Sequence, residues 1–274
     1  MSCWNRLQDL RDHRIELAAA RLAALGLLVL LLQPVSALAT PPGKVAFEQA
    51  LQASQQGDFS SALPLWNQVL AASPEDGAAW SNRGNVRLAL GDPEGAILDQ
   101  TRAMELEPDN PDPHLNRGTA EEALLDWQAA AEDYDWILAR NPADADALYN
   151  LANVRGAGGD WAAAQSLFSS AMAARADFAM ARSGYALAVY QQGDLDLAEA
   201  ELRKLIRRHP MFADARAALS GLLWRQGYQG EAESHWAAAV GLDSRYRQAD
   251  WLLTVRRWPP QPTADLMTFL SLES

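Results

Sequence analysis

The stretch Trp80-Ser81-Asn82-Arg83-Gly84, followed by Leu90-Gly91-Asp92-Pro93, Ala96-Ile97 and Pro108, decides the architecture of this chain. Gly91 suits the left-handed residue that closes a helix, where a Cβ would clash. Asp92 suits the N-cap of a following helix, and Pro93 suits its first turn. Pro108 stops that second helix. The stretch therefore predicts two helices joined by a tight turn, over roughly 78–90 and 94–107.

The same punctuation recurs along the chain. Gly57, Gly91, Gly159, Gly193 and Gly227 fall on a 34-residue grid, and Leu125 fills its one gap. Five places after each grid point stands an alanine: Ala62, Ala96, Ala130, Ala164, Ala198 and Ala232. Seventeen places after come Pro74, Pro108, Pro142 and Pro210, with Ala176 and Ser244 at the other two positions. A fixed period in this range marks a solenoid of helix–turn–helix units. Ala50, Gly84, Gly118, Ala152, Ala186 and Ser220 precede the grid points by seven. There the first helix (A) of each unit should press on the second (B), and a bulky residue would overpack the hairpin by about 1–3 kcal/mol. Trp66, Tyr134, Phe168, Leu202 and Trp236 read as core, and Phe59, Trp127 and Trp161 as wedges between hairpins. A non-glycine residue in the left-handed region costs roughly 1–2 kcal/mol. The third unit should hold either a strained Leu125 or a reshaped turn.

With this period and these motifs the chain resembles the tetratricopeptide repeat (TPR) family over residues 43–244. The resemblance implies an all-α fold, a right-handed superhelical solenoid of six repeats: 43–76, 77–110, 111–144, 145–178, 179–212 and 213–246. Residues 245–258 read as one amphipathic capping helix with Ala249, Leu252, Leu253 and Val255 apolar. Residues 259–274 read as a Pro-rich tail with a short helix over 265–270, docking through Leu266, Phe269 and Leu270. The Arg-Trp-Pro-Pro tail after the array resembles thylakoid-lumen members of the family from cyanobacteria and plastids.

Ahead of the repeats, Arg6, Arg11, Arg14 and Arg21 precede an apolar run over 22–32, Pro34 breaks it, and Ala37-Leu38-Ala39 forms a small-x-small site. This reads as a secretory signal peptide over residues 1–39. The run is shorter than the ~20 residues a spanning helix needs. The alternative is an uncleaved signal anchor over 17–32. Either places the repeats across a membrane, in a periplasm or thylakoid lumen, soluble or anchored. Cys3 is the one cysteine and lies in that segment, so the mature chain holds no disulfide or thiolate site.

The formal charge is −12. Residues 1–39 hold four Arg against two Asp and one Glu, a balance of +1, which leaves −13 for the remainder. Such a chain repels nucleic acid and anionic headgroups. The four histidines, His13, His114, His209 and His235, lie far apart, and none has a metal-ligand partner at helical spacing. No phosphate-binding loop and no catalytic set is visible, so neither a metal, a cofactor nor an enzymatic activity is expected.

The resemblance implies that A helices line a concave groove. Asn82, Asn116 and Asn150 share one position there, 34 residues apart, and Asn85 and Asn153 extend the same face by one turn. A carboxamide offers donor and acceptor together, and so pairs with a peptide backbone whatever its side chains. The plainer alternative is that these amides bond neighbouring helices. Tyr149, Tyr190 and Trp224 also fall at groove positions and suit anchoring a ligand side chain. Trp224 suits packing beneath the cap equally well. Asp112, Asp146 and Asp214 share a further position, with Glu122 nearby. Some TPR domains clamp the C-terminal carboxylate of a chaperone with Lys, Asn and Arg. Here Asp112 and Asn116 stand where that clamp needs Lys and Arg. An acidic groove repels a carboxylate and favours a neutral or basic extended segment. The expectation is an exported, non-enzymatic scaffold that binds a protein or peptide in its groove. The alternative is an assembly subunit that docks to a membrane complex through its outer face.

Overall fold

The computed structural model describes residues 42–271, and every regular element among them is a helix. Six hairpins follow one another: α1 (Pro42–Gln55) with α2 (Phe59–Ala72), α3 (Gly77–Ala89) with α4 (Pro93–Leu106), α5 (Pro111–Ala123) with α6 (Trp127–Arg140), α7 (Ala145–Ala157) with α8 (Trp161–Ala174), α9 (Ala179–Gln191) with α10 (Leu195–Arg208), and α11 (Ala213–Arg225) with α12 (Gln229–Leu242). A 3-10 turn (Ser244–Arg247), α13 (Ala249–Thr254) and α14 (Pro260–Ser271) complete the chain. The signal or anchor segment of residues 1–39 lies outside the described residues.

The stop–start turns behave as their residues dictate. The five grid glycines all sit at φ between 75 and 90°. Asp58, Asp92, Asp126, Asp160 and Asp194 each accept a hydrogen bond from the backbone N–H three residues on, which caps the B helix. Leu125 takes the glycine role unaided, at φ 61°. Its turn keeps the same ladder as that of Gly91: Leu125 N donates to Glu122 O at 3.0 Å and Asp126 N to Glu121 O at 3.0 Å, against Gly91 N to Leu88 O at 3.0 Å and Asp92 N to Arg87 O at 2.9 Å. The third unit thus holds a strained leucine rather than a reshaped turn.

The small residues let the two helices of a hairpin approach. All six grid alanines are buried. A Cβ built on Gly118 would stand 2.7 Å from the Tyr134 ring, and one on Gly84 would stand 2.7 Å from Gln100 Nε2. Trp66, Tyr134, Phe168, Leu202 and Trp236 are core residues as expected. In the second unit the equivalent core position is polar. Gln100 is buried there and donates to Ser81 O and Asn85 Oδ1, each at 2.9 Å.

The C-terminal segment departs from expectation. Instead of one helix over 245–258, the chain makes the 3-10 turn, then the six-residue α13, then a non-helical strap over 255–259. Arg257 reverses the chain at φ 57°. The cause lies far upstream, in Asp214 of α11. It is 3% exposed and accepts from Arg256 Nη2 at 2.7 Å, Tyr246 OH at 2.9 Å, Trp258 Nε1 at 3.0 Å and Ser183 Oγ at 2.5 Å. Drawing both Arg256 and Trp258 onto one buried carboxylate is incompatible with a continued helix. The final helix begins at Pro260, at its proline-tolerant first position, rather than at residue 265. It docks by burying Leu266 and Phe269, with Leu270 partly covered.

Candidate binding groove

The A helices of successive units touch one another directly, which places them on the shorter, inner side of the curve. At units two and three this concave face is open. Ser81, Asn82, Asn85, Asp112, Leu115 and Asn116 line a hollow of about 600 Å³. Asn116 Nδ2 donates to Ser81 Oγ at 3.1 Å, tying unit three to unit two. Asn82 Nδ2 donates to Ala78 O of its own helix at 2.8 Å. Asn85 Oδ1 accepts from Gln100. Each amide thus spends one side on the fold. The carbonyl oxygens of Asn82 and Asn116 and the Nδ2 of Asn85 make no hydrogen bond to the described residues, and Asp112 is exposed beside them.

Further along, the groove is filled by the chain itself. α14 packs on α9 and α11, the A helices of units five and six. Tyr190 is fully buried beneath it, and its hydroxyl donates to Asp265 Oδ2 at 2.9 Å. Burial pushes the phenol pKa of Tyr190 well above its usual value, with the Asp265 charge adding to it. Trp224 packs half-buried against the same C-terminal cluster. Tyr190 does not offer the open aromatic anchor expected of it, and Trp224 follows the alternative of packing against the C-terminal segment. The close fit has a local reason: Gly221 of α11 faces Leu266, and a Cβ there would stand 2.9 Å from the Leu266 nitrogen.

Unit four lies between these regimes. Tyr149 packs on Phe168 and Phe178, with ring centres 5.7 and 5.1 Å away. Together with Asn153 it lines a small enclosed pocket roofed by Arg256, Arg257 and Pro259. Asn150 is half-buried beside them on α7. The structure therefore unites Asn82, Asn85 and Asn116 in one open hollow, sets Tyr149 and Asn153 under the strap, puts Tyr190 under α14 and leaves Trp224 half-buried against the C-terminal cluster.

The acidic face is largely committed within the chain. Asp146 pairs with Arg175 at 2.6 Å, Asp214 holds the strap, and Glu122 pairs with Arg257 and accepts from Tyr134 OH at 2.5 Å. Asp112 is left facing the open hollow. A second set of charges, not singled out from the sequence, sits between A and B helices. Arg83 grips Asp99 at 2.7 and 2.8 Å, and Arg117 grips Asp133 at 2.8 Å twice. The 34-residue spacing of Arg83 to Arg117 and of Asp99 to Asp133 was the available signal. His114 also bonds Asp133, at 2.7 Å, and stacks on Trp136 at 3.7 Å between ring centres. Burial lowers the pKa of His114 despite that carboxylate. Among the described residues no group of three or more acidic, histidine or cysteine side chains is placed to hold a metal ion, and no helix is long and apolar enough to cross a membrane.

Comparison with known proteins agrees with this architecture. A family model described as tetratricopeptide repeat matches residues 47–111 and 115–155, and a second of the same description matches 157–222. Tetratricopeptide repeat protein 36 of Homo sapiens is 40% identical over 58 residues, which is 21% of this chain and 31% of that protein. Its counterpart in Danio rerio is 33% identical over 58 residues, with the same coverage. The match thus spans about a third of the length of these relatives. Among solved structures, the APC/C hetero-tetramer Cut9–Hcn1 superposes with a TM-score of 0.68 at 17% identity, covering 82% of this chain and 42% of that one. A tetratricopeptide repeat protein from Parabacteroides merdae gives 0.63 at 18% identity, covering 85% and 93%. YrrB, described as a TPR protein with an unusual peptide-binding site, gives 0.50 at 17% identity, covering 70% and 96%. At these identities the likeness is one of fold. The repeat models cover more than half of the chain, so the chain belongs to the tetratricopeptide repeat family.

Proposed function

We propose that this protein is an exported, non-enzymatic scaffold that holds an extended, neutral or basic segment of a partner protein in its concave groove at units two and three. The protein-binding role is that of the TPR scaffold in general; the site and the compartment are our reading. The observation that carries it is the open hollow with the half-used amides of Asn82, Asn85 and Asn116 beside the exposed Asp112. A main chain laid there meets both donors and acceptors, and one carboxylate favours a cation over an anion. The described peptide-binding site of YrrB, on a similar fold, supports the class of ligand. Export rests on the signal-like residues 1–39 and would place the scaffold in a periplasm or thylakoid lumen. A second reading is an assembly subunit tethered by an uncleaved anchor.

The test is Asn82→Ala with Asn116→Ala in the full chain, used as bait against the exported fraction. Losing two hydrogen bonds of about 0.5–1.5 kcal/mol each should cut partner affinity roughly 5- to 150-fold. Undiminished recovery of the partner by the double variant would refute the groove. Amino-terminal sequencing of the mature protein decides cleavage, with Thr40 expected first.

A further inference from the structure

The strap makes a contact that a solenoid ordinarily lacks. Repeat units touch only their neighbours, yet Arg257, beyond unit six, pairs with Glu122 in unit three. Its guanidinium also lies 5.6 Å from the ring centre of Trp127. Glu122 is 3% exposed and is steadied by the Tyr134 hydroxyl. It forms a buried, pre-set acceptor for a guanidinium. Beside it a mainly apolar hollow of about 740 Å³ is walled by Leu125, Trp127, Trp161, Leu253 and Trp258. Leu125 and Arg257 are the non-glycine residues at positive φ among the described residues, and both stand on this hollow. Strained residues that cluster at one place point to a function there.

We propose that Glu122 and the face of Trp127 form a receptor for an arginine of the partner segment, and that Arg257 is a placeholder which the partner's arginine displaces. This deepens the groove reading and rests on it. A buried carboxylate is strongly disfavoured without a counter-charge, so Arg257 leaves by exchange with another cation rather than by simple opening. Arg257 is held in the left-handed region because its neighbours Arg256 and Trp258 are both bound to Asp214, whereas an incoming segment carries no such constraint. The adjoining hollow accepts the aliphatic stem of an arginine and an apolar neighbour. Arginine is favoured over lysine because its planar group stacks on Trp127 while reaching the carboxylate. Arg256, Trp258 and α14 stay docked throughout.

The test is fluorescence anisotropy with a labelled octapeptide copying residues 254–261, titrated with the full chain and with its Arg257→Ala variant. The tethered arginine acts at an effective concentration on the order of millimolar, so the unaltered chain should bind weakly. The vacated variant should bind at least tenfold more tightly. A peptide with both arginines changed to glutamine should not bind, and adding Glu122→Gln should abolish the gain. Equal affinity of the unaltered chain and a folded Arg257→Ala variant overturns the proposal. If that variant does not fold, hydrogen exchange of the unaltered chain decides instead. Saturating octapeptide should speed exchange over residues 254–257, and unchanged rates overturn the proposal. Asn82→Ala with Asn116→Ala should leave octapeptide binding intact, which separates failure of the receptor from failure of the asparagine groove.

Discussion

Replacing Asp214 by alanine should detach the C-terminal strap while leaving most of the array folded. The carboxylate accepts from Ser183, Tyr246, Trp258 and twice from Arg256, at 2.5 to 3.0 Å. Removing it strands the guanidinium of Arg256, whose side chain is only 20% exposed. Breaking a buried ion pair from one side costs about 3–5 kcal/mol. The hydroxyls and the indole N–H, left without an acceptor, add to that at about 1 kcal/mol or more each. The measured loss is capped, however, by the free energy that docks the strap. Once the penalty exceeds it, residues 243–271 release and expose Leu252, Trp258, Leu266 and Phe269, all now buried. Because repeats contact mainly their neighbours, units one and two should keep their stability, whereas units three and four lose the strap's contacts at Glu122 and over Tyr149. Hydrogen exchange resolved along the chain is the assay. Protection should vanish beyond residue 243, weaken in α9 and α11 where α14 rests and in α5 to α8 beneath the strap, and persist in α2 to α4. Adding Arg256→Leu should restore part of the protection, since no unpaired cation is then buried. Full protection of residues 246–271 in Asp214→Ala would refute the view that this carboxylate organises the cap.

Other expectations follow from single positions. Leu125→Asn should stabilise the chain by about 1 kcal/mol, because asparagine tolerates the left-handed region and the leucine side chain is largely exposed, whereas Leu125→Val should destabilise it; urea unfolding midpoints report both. Burial, reinforced by Asp133, pushes the Glu121 carboxyl up to about 7, and its Oε2 has no hydrogen-bond partner among the described residues. A raised folded pKa means that the folded state binds this proton more tightly than the unfolded chain does. The associated stability is complete below about pH 4.5 and is lost as pH rises through about 7. Between pH 5 and pH 8 the unaltered chain should therefore lose on the order of 1 kcal/mol relative to Glu121→Gln, since the lowered pKa values of His114 and His235 act with the opposite sign but equally on both chains.

The array was legible because its determinants are local. Each turn needs a left-handed residue, a cap and a helix stop within a few positions, and the same need returns every 34 residues. Leu125 shows how far this reaches: its turn keeps the bonding of the glycine turns, so the period could be trusted over the residue type. The groove was legible only by half. Asn82 and Asn116 occupy the same position in adjacent units, yet one bonds its own helix and the other bonds the unit before. The availability of Tyr190 depended on where α14 lies, some 70 residues later, and no period encodes that. Residues 245–258 carry a helical apolar pattern, but local pattern lost to a distant charge. One signal for that outcome was present. Asp214 sits in a helix otherwise rich in alanine and leucine. A carboxylate placed among such residues must find a cation or stay neutral. The arginines at the end of the last repeat and beyond it, Arg245, Arg247, Arg256 and Arg257, were the candidates downstream. A return of the C-terminus over unit six, onto the concave face that carries Asp214, follows from that requirement, whereas an outward cap helix would have left the carboxylate without one of these partners.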